Sequence, residues 1–154
     1  AFNGWRLLSD EMAIISPGTN EVHPFVRPIC LKNNSIQLAK EWYPLGAFST
    51  IAQNTHKGDV IHLSPPDFSW ANRKCPAEIV GIVFPNYKKE QPLSIYRLNQ
   101  TQGFMQFAEN AFNFGVIGGT GFETLTGLIE KCDVFEIFYN DLAEVLEFLN
   151  EEFE

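Results

Sequence analysis

The sequence predicts a mixed α/β or α+β domain. Short β-rich apolar runs at residues 78–84, 93–98 and 134–139 are interleaved with segments whose apolar residues recur at helical spacing. No internal repeat and no linker divides the chain. At 154 residues, 45% hydrophobic and 14% aromatic, it has the size of one globular domain and the apolar mass for a core.

In chain order, Ala1-Phe2-Asn3-Gly4 reads as the last turn of a helix ended by a left-handed Gly4, and Trp5-Arg6-Leu7-Leu8 as an apolar strand entered from it. The expectation is a chain that begins in mid-element, with a strand and a helix upstream. Beyond the polar triplet Ser9-Asp10-Glu11, Met12-Ala13-Ile14-Ile15 reads as a second apolar strand. Ser16-Pro17-Gly18-Thr19-Asn20 is a turn cluster that reverses the chain, and residues 22–26 return as a strand. Arg27-Pro28-Ile29-Cys30-Leu31-Lys32-Asn33 reads as a loop, because Pro28 disfavours helical backbone at Arg27. Asn34 or Ser35 then caps a short helix through about Glu41. Residues 42–74 are mixed, with one strand at 59–63 stopped by Pro65-Pro66.

Residues 78–84 are the expected central strand and 93–98 a second one. Asn99 with Gln102 forms a capping pair for a helix that places Phe104, Ala108, Ala111 and Phe112 on one face. Another helix follows Gly118-Gly119-Thr120-Gly121 and buries Phe122, Leu125, Ile129 and Cys132. Residues 134–139 are the last strand. Asp141 with Glu144 caps a final helix that turns Leu142, Val145, Leu146, Leu149 and Phe153 inward.

With 11 Lys+Arg against 19 Asp+Glu the formal net charge is -8, so general affinity for nucleic acid or for an anionic membrane is not expected. Any anion site must come from a local basic cluster. Cys30, Cys75 and Cys132 are odd in number and widely spaced, which fits reduced thiols in a cytoplasmic protein. No apolar run approaches the roughly 20 residues of a spanning helix, and no secretory signal pattern is present.

The strongest chemical signal is Ser9-Asp10-Glu11 between two apolar runs, since adjacent carboxylates there must be hydrated, paired or metal-bound. Phosphoryl transfer needs one carboxylate near the attacking hydroxyl and another near Mg²⁺; a solvated turn is the bland alternative. Arg27 and Lys32 are candidates for neutralising phosphate charge, and Lys57, beside His56 and Gly58, for meeting a phosphate. Gly118-Gly119-Thr120-Gly121 lacks the following Lys-Ser/Thr of a phosphate loop and reads as a helix start. His23, His56, His62 and the cysteines offer no pair at zinc-ligand spacing, and Ser9, Ser64 and Ser69 have no nucleophile-elbow context.

Gly4-Trp5-Arg6-Leu7-Leu8-Ser9-Asp10-Glu11 resembles the HPr kinase strand that reads "RL(V/L)ADD" and follows the phosphate-loop helix. Arg27 to Asn33, Thr55-His56-Lys57-Gly58, Val83-Phe84-Pro85 and Ala108-Glu109-Asn110-Ala111-Phe112-Asn113 are similar, in that order, to the HPr-kinase-related kinase A family. The resemblance covers nearly the whole chain. It implies an α/β fold of the HPr kinase and phosphoenolpyruvate carboxykinase type, a mixed sheet with flanking helices and a helical C-terminal part. Residues 1–154 would be a single partial P-loop kinase domain, without the N-terminal strand, the P-loop and most of the following helix. It further implies ATP and Mg²⁺ as cofactors, a protein or peptide hydroxyl as phosphoacceptor, and a possible homo-oligomer. On it, Asp10 orients or deprotonates the acceptor hydroxyl and Glu11 helps to hold Mg²⁺, where HPr kinases proper have Asp. Arg27, Lys32, His56 and Lys57 would bind substrate or phosphate. No G-x-x-x-x-G-K-[ST] occurs in these 154 residues, so the chain by itself is not expected to bind ATP well. The alternative is a non-catalytic scaffold of the same fold that binds a partner protein or peptide.

Overall fold

The structure, a computed structural model, describes residues 1–153. Its elements are β1 (Ile14–Ile15), β2 (Glu21–His23), β3 (Ile29–Lys32), α1 (Asn34–Trp42), β4 (Ala52–Thr55), β5 (Gly58–Leu63), α2 (Asp67–Ala71), β6 (Ala77–Glu78), β7 (Gly81–Tyr87), β8 (Ser94–Arg97), α3 (Gln100–Asn110), α4 (Phe114–Lys131), β9 (Asp133–Tyr139) and α5 (Leu142–Phe153). The fold is mixed α/β, with small sheets and helices interleaved along the chain. The chain forms two compact units, Ala1–Ile14 with His23–Pro76, and Ile15–Val22 with residues 77–153.

In the first unit β3, β5 and β4 form an antiparallel sheet in the order β3-β5-β4. Ile29, Cys30, Leu31 and Lys32 lie opposite Leu63, His62, Ile61 and Val60. Period-2 alternation turns Ile29, Leu31, Ile61 and Leu63 toward the core and leaves Cys30, Lys32 and His62 exposed. After β3, α1 buries Ile36 and Ala39.

Four readings of this region are corrected. Residues 27–33 are not a loop throughout: Ile29–Lys32 is a strand, and Pro28 sits just before it, where extended backbone suits it. Trp5-Arg6-Leu7-Leu8 is not a strand. It is held by single bonds, from the Leu7 N–H to Ser69 Oγ (2.9 Å) and from the Phe25 N–H to the Leu8 carbonyl (2.7 Å), and so has no ladder. Ala1 to Gly4 is a turn rather than a helix end, although Gly4 does take the left-handed φ of 95°. The strand expected from Met12 shrinks to Ile14–Ile15, because the Met12 N–H is already given to Ser9 Oγ (3.1 Å).

In the second unit Ile15–Val22 supplies the reversal from β1 into β2, and β2 pairs antiparallel with β6. The larger sheet has the order β7-β9-β8, with β7 parallel and β8 antiparallel to β9. The central strand is therefore β9, and residues 78–84 contribute to β6 and the edge strand β7. On one face Val134 packs with Leu125 and Ile129 of α4 and with Phe104 and Phe107 of α3. On the other, Phe135 and the fully buried Ile137 pack with Val145, Phe148, Leu149 and Phe153 of α5.

α3 opens with the expected capping box: Asn99 Oδ1 accepts from the Gln102 N–H (3.0 Å) and Gln102 Oε1 from the Asn99 N–H (3.1 Å). Phe112 does not join the core. α3 ends at Asn110, Ala111 turns extended, and Phe112 is 87% exposed. α4 begins at Phe114, earlier than expected, and is kinked at Gly118, where φ is 55°. Leu125, Ile129 and Cys132 are buried as predicted, but Phe122 touches Phe104 and is otherwise exposed. Leu142, first residue of α5, also remains exposed, a turn ahead of the buried Val145.

Candidate functional site

Every residue singled out for chemistry lies in the first unit. Ser9 starts the site: its Oγ accepts from the N–H groups of Glu11 (3.2 Å) and Met12 (3.1 Å), a hydroxyl-stabilised turn that presents Asp10 and Glu11 outward. The two carboxylates thus stand in an exposed turn, and their expected placement between two apolar strands is corrected. Neither is solitary. Asp10 Oδ2 accepts from the backbone N–H of Cys30 (3.1 Å), and Glu11 Oε2 pairs with Arg27 Nη2 (2.6 Å). The Arg27 guanidinium also lies over the Phe25 ring, 5.0 Å from its centroid. Both side chains of the ion pair are about half exposed or more, so it stabilises the fold by less than about 1 kcal/mol and serves mainly to fix position.

β3 is an outer strand of its sheet, and its N–H groups at Cys30 and Lys32 point away from β5. Side chains close both: Asp10 takes the first, and Ser35 Oγ takes the second at 2.8 Å. Lys32 lies about 7 Å further along β3 than Cys30, on the same exposed face. Asn33 ties this end of β3 to β5, through its N–H to the Asp59 carbonyl (3.0 Å) and its Oδ1 from the Asp59 N–H (3.2 Å). The turn between β4 and β5 carries His56 and Lys57, both exposed, and is braced by Thr55 Oγ1, which accepts from the Lys57 N–H and donates to the Gly58 carbonyl. Gly58 there has a φ of 83°.

The fold therefore makes two groupings on one sheet. Asp10, Glu11 and Arg27 gather at the start of β3, while Lys32, His56 and Lys57 belong to its far end and the adjoining turn. Among the described residues no hydrogen bond or ion pair joins the second grouping to the first. Among them, too, no group of three His, Cys, Asp or Glu side chains is placed to hold a metal ion. Sequence reasoning named Ser9 without its role, the hydroxyl that fixes the turn, and missed the Cys30 amide that holds Asp10. The signal for the second was the apolar-polar alternation of Ile29-Cys30-Leu31-Lys32, which Pro28 masked.

A cleft of about 690 Å³ lies elsewhere, in the second unit, lined by Asn99, Gln102, Cys132 and Asp133 among others, and includes none of these residues. The site at Asp10 is an open surface. Among the described residues no helix is long and apolar enough to cross a membrane. Comparison of the chain with family models, with curated proteins and with solved structures finds no match.

Proposed function

We propose that the chain is part of an HPr-kinase-like, ATP-dependent kinase that transfers phosphate to a hydroxyl of a protein or peptide. The observation that carries this reading is the joint placement of Asp10, Glu11 and Arg27 against the edge of β3, two carboxylates and a guanidinium on one surface. Phosphoryl transfer is largely a matter of positioning and charge, and this is the residue set it uses. Asp10, steadied by the Cys30 amide, keeps a second carboxylate oxygen outside that bond, available to orient or deprotonate an acceptor hydroxyl. Arg27, and Lys32 further along β3, offset phosphate charge. The protein donors are too few for a metal cage; they suit a Mg²⁺ ion held mainly by nucleotide phosphates and water, with Glu11 as one ligand, where it would neutralise charge on the transferring group. This reading requires a phosphate-cradling loop, and the 154 residues contain none.

The test is Asp10→Asn in a parent protein that carries the nucleotide loop. Single-turnover transfer is expected to fall by about 10²- to 10⁴-fold while nucleotide affinity stays nearly unchanged. Wild-type turnover in that variant removes Asp10 from the reaction.

A second reading is a non-catalytic scaffold for a partner protein or peptide. It is favoured by one observation, the engagement of Glu11 by Arg27. Nucleotide titration of the parent protein separates the two, since a scaffold has no need to bind Mg-ATP.

A further inference from the structure

On the exposed face of the first unit's sheet, a thiol, an imidazole and an ammonium group stand on adjacent strand positions that the kinase reading does not use as a set. We propose that Cys30 is a site of reversible thiol modification by small anionic disulfides, with His62 taking the thiol proton and Lys32 receiving the reagent's carboxylate.

The argument starts from backbone bonds. Cys30 lies directly opposite His62 in the β3–β5 register. The Cys30 N–H points away from β5, to Asp10. His62 likewise sends its N–H to Ser49 Oγ (3.1 Å) and its carbonyl to the Ser49 N–H (2.8 Å), away from β3. The two residues therefore exchange no backbone bonds and form a narrow pair of the non-hydrogen-bonded kind, in which facing side chains approach closest. Both side chains lie on the solvent face, because Ile29, Leu31, Ile61 and Leu63 occupy the other. Cβ atoms of such a pair are about 4.5–5.5 Å apart; the Cys30 thiol and the His62 imidazole are not hydrogen-bonded to each other, and one bridging water carries the proton between them.

Lys32 shares this face two residues on. Of the neighbouring carboxylates, Glu11 is paired with Arg27, and Asp10, which accepts the Cys30 amide through one oxygen, is not paired with Lys32. Among the described residues the ion pairs are Arg27 with Glu11 and Arg97 with Asp133, so no carboxylate occupies the Lys32 ammonium group where an incoming anion would meet it. The other cysteines lack this setting. Cys75 is exposed in the turn that follows α2, outside any strand pair, and Cys132 is buried with its Sγ 3.1 Å from the Ile79 carbonyl.

The step is a thiol–disulfide exchange. His62 removes the Cys30 proton, and the thiolate sulfur attacks one sulfur of the reagent. A new S–S bond forms as the old one breaks, and the departing thiolate takes the proton from His62. The reagent's own disulfide supplies the oxidising equivalents. The adduct sits on the residue whose amide holds Asp10, so modification reaches the candidate site through one hydrogen bond. The inference does not depend on the kinase reading.

The experiment exposes the full chain at neutral pH to glutathione disulfide and, separately, to the neutral 2-hydroxyethyl disulfide, with the modified cysteines located by peptide mass mapping. Cys30 is expected to react at least about tenfold faster than Cys75 in the folded protein, and the difference to vanish in concentrated urea. His62→Gln should bring Cys30 to the rate of Cys75. Lys32→Gln should slow the glutathione reaction and leave the neutral one unchanged. Equal rates for Cys30 and Cys75 in the folded wild-type protein overturn the proposal without recourse to any variant. A Cys30 rate unmoved by His62→Gln also overturns it, and equal slowing of both reagents by Lys32→Gln overturns the anionic reagent class.

Discussion

Cys132 ends α4 with its thiol in the interior of the second unit, close to the Ile79 carbonyl and to Asn20 Oδ1. Burial raises its pKa, the Asp133 and Glu78 carboxylates add to the rise, and Lys131 opposes it. A folded-state pKa above the unfolded one means that the folded unit holds this proton more tightly. The resulting stability is complete below the thiol's ordinary value and is lost as pH climbs through the folded value. Denaturation monitored at β9 should accordingly show stability declining above about pH 9. Cys132→Ser, which keeps a donor for the Ile79 carbonyl and does not titrate in this range, should flatten that decline; an unchanged slope would assign the alkaline loss to other groups.

At the scale of the element, the glycine-rich stretch of α4 gives two predictions of opposite sign. Gly118 takes a φ of 55° and a ψ of -127°, a conformation nearly closed to other residues, although no atom lies within 4 Å of where a Cβ would stand. Gly118→Ala is thus expected to destabilise the unit by about 1–3 kcal/mol through the backbone alone. One residue on, Gly119 has ordinary helical geometry and the same open surroundings, so Gly119→Ala should stabilise by about 0.5–1 kcal/mol. Urea midpoints of the two variants measure both; a shift of the same sign in each would mean that the kink is not held at Gly118. The kink also bears on what could be read in advance. Periodicity identified α3, β9 and the buried stripe Leu125, Ile129 and Cys132, and the Asn99–Gln102 cap, because those signals are local and agree with the packing. It failed at Phe112, where the helix had already ended, and at Trp5-Arg6-Leu7-Leu8, where an apolar run finds no partner strand. At the site the acidic pair and Arg27 stood out by charge, but what fixes them, a serine hydroxyl and an outward amide of β3, depends on chain reversals that composition does not encode.

At the scale of the whole molecule, the described residues form two compact units, each with buried apolar side chains of its own. Ile61 and Leu63 anchor the first, and β9 with Ile137 the second. Protection should follow this division. β9 is flanked by a strand on each side and by apolar side chains on both faces, so its amides are expected to exchange slowest with solvent, and those of Trp5-Arg6-Leu7-Leu8 among the fastest. Hydrogen exchange read residue by residue checks this, and faster exchange at Ile137 than at Leu7 would contradict it.

The two side-chain acceptors that stop the outer edge of β3 have a further consequence, for solubility. A strand whose outward amides are taken offers little to a foreign strand, so Asp10 and Ser35 guard the molecule against edge-to-edge aggregation as well as shaping its surface. An alanine at position 10 strips away that guard together with the carboxylate, and any effect of the missing charge would then be entangled with clumping of the protein. Asparagine retains an oxygen for the Cys30 amide while discarding the charge, and so lets the two effects be told apart.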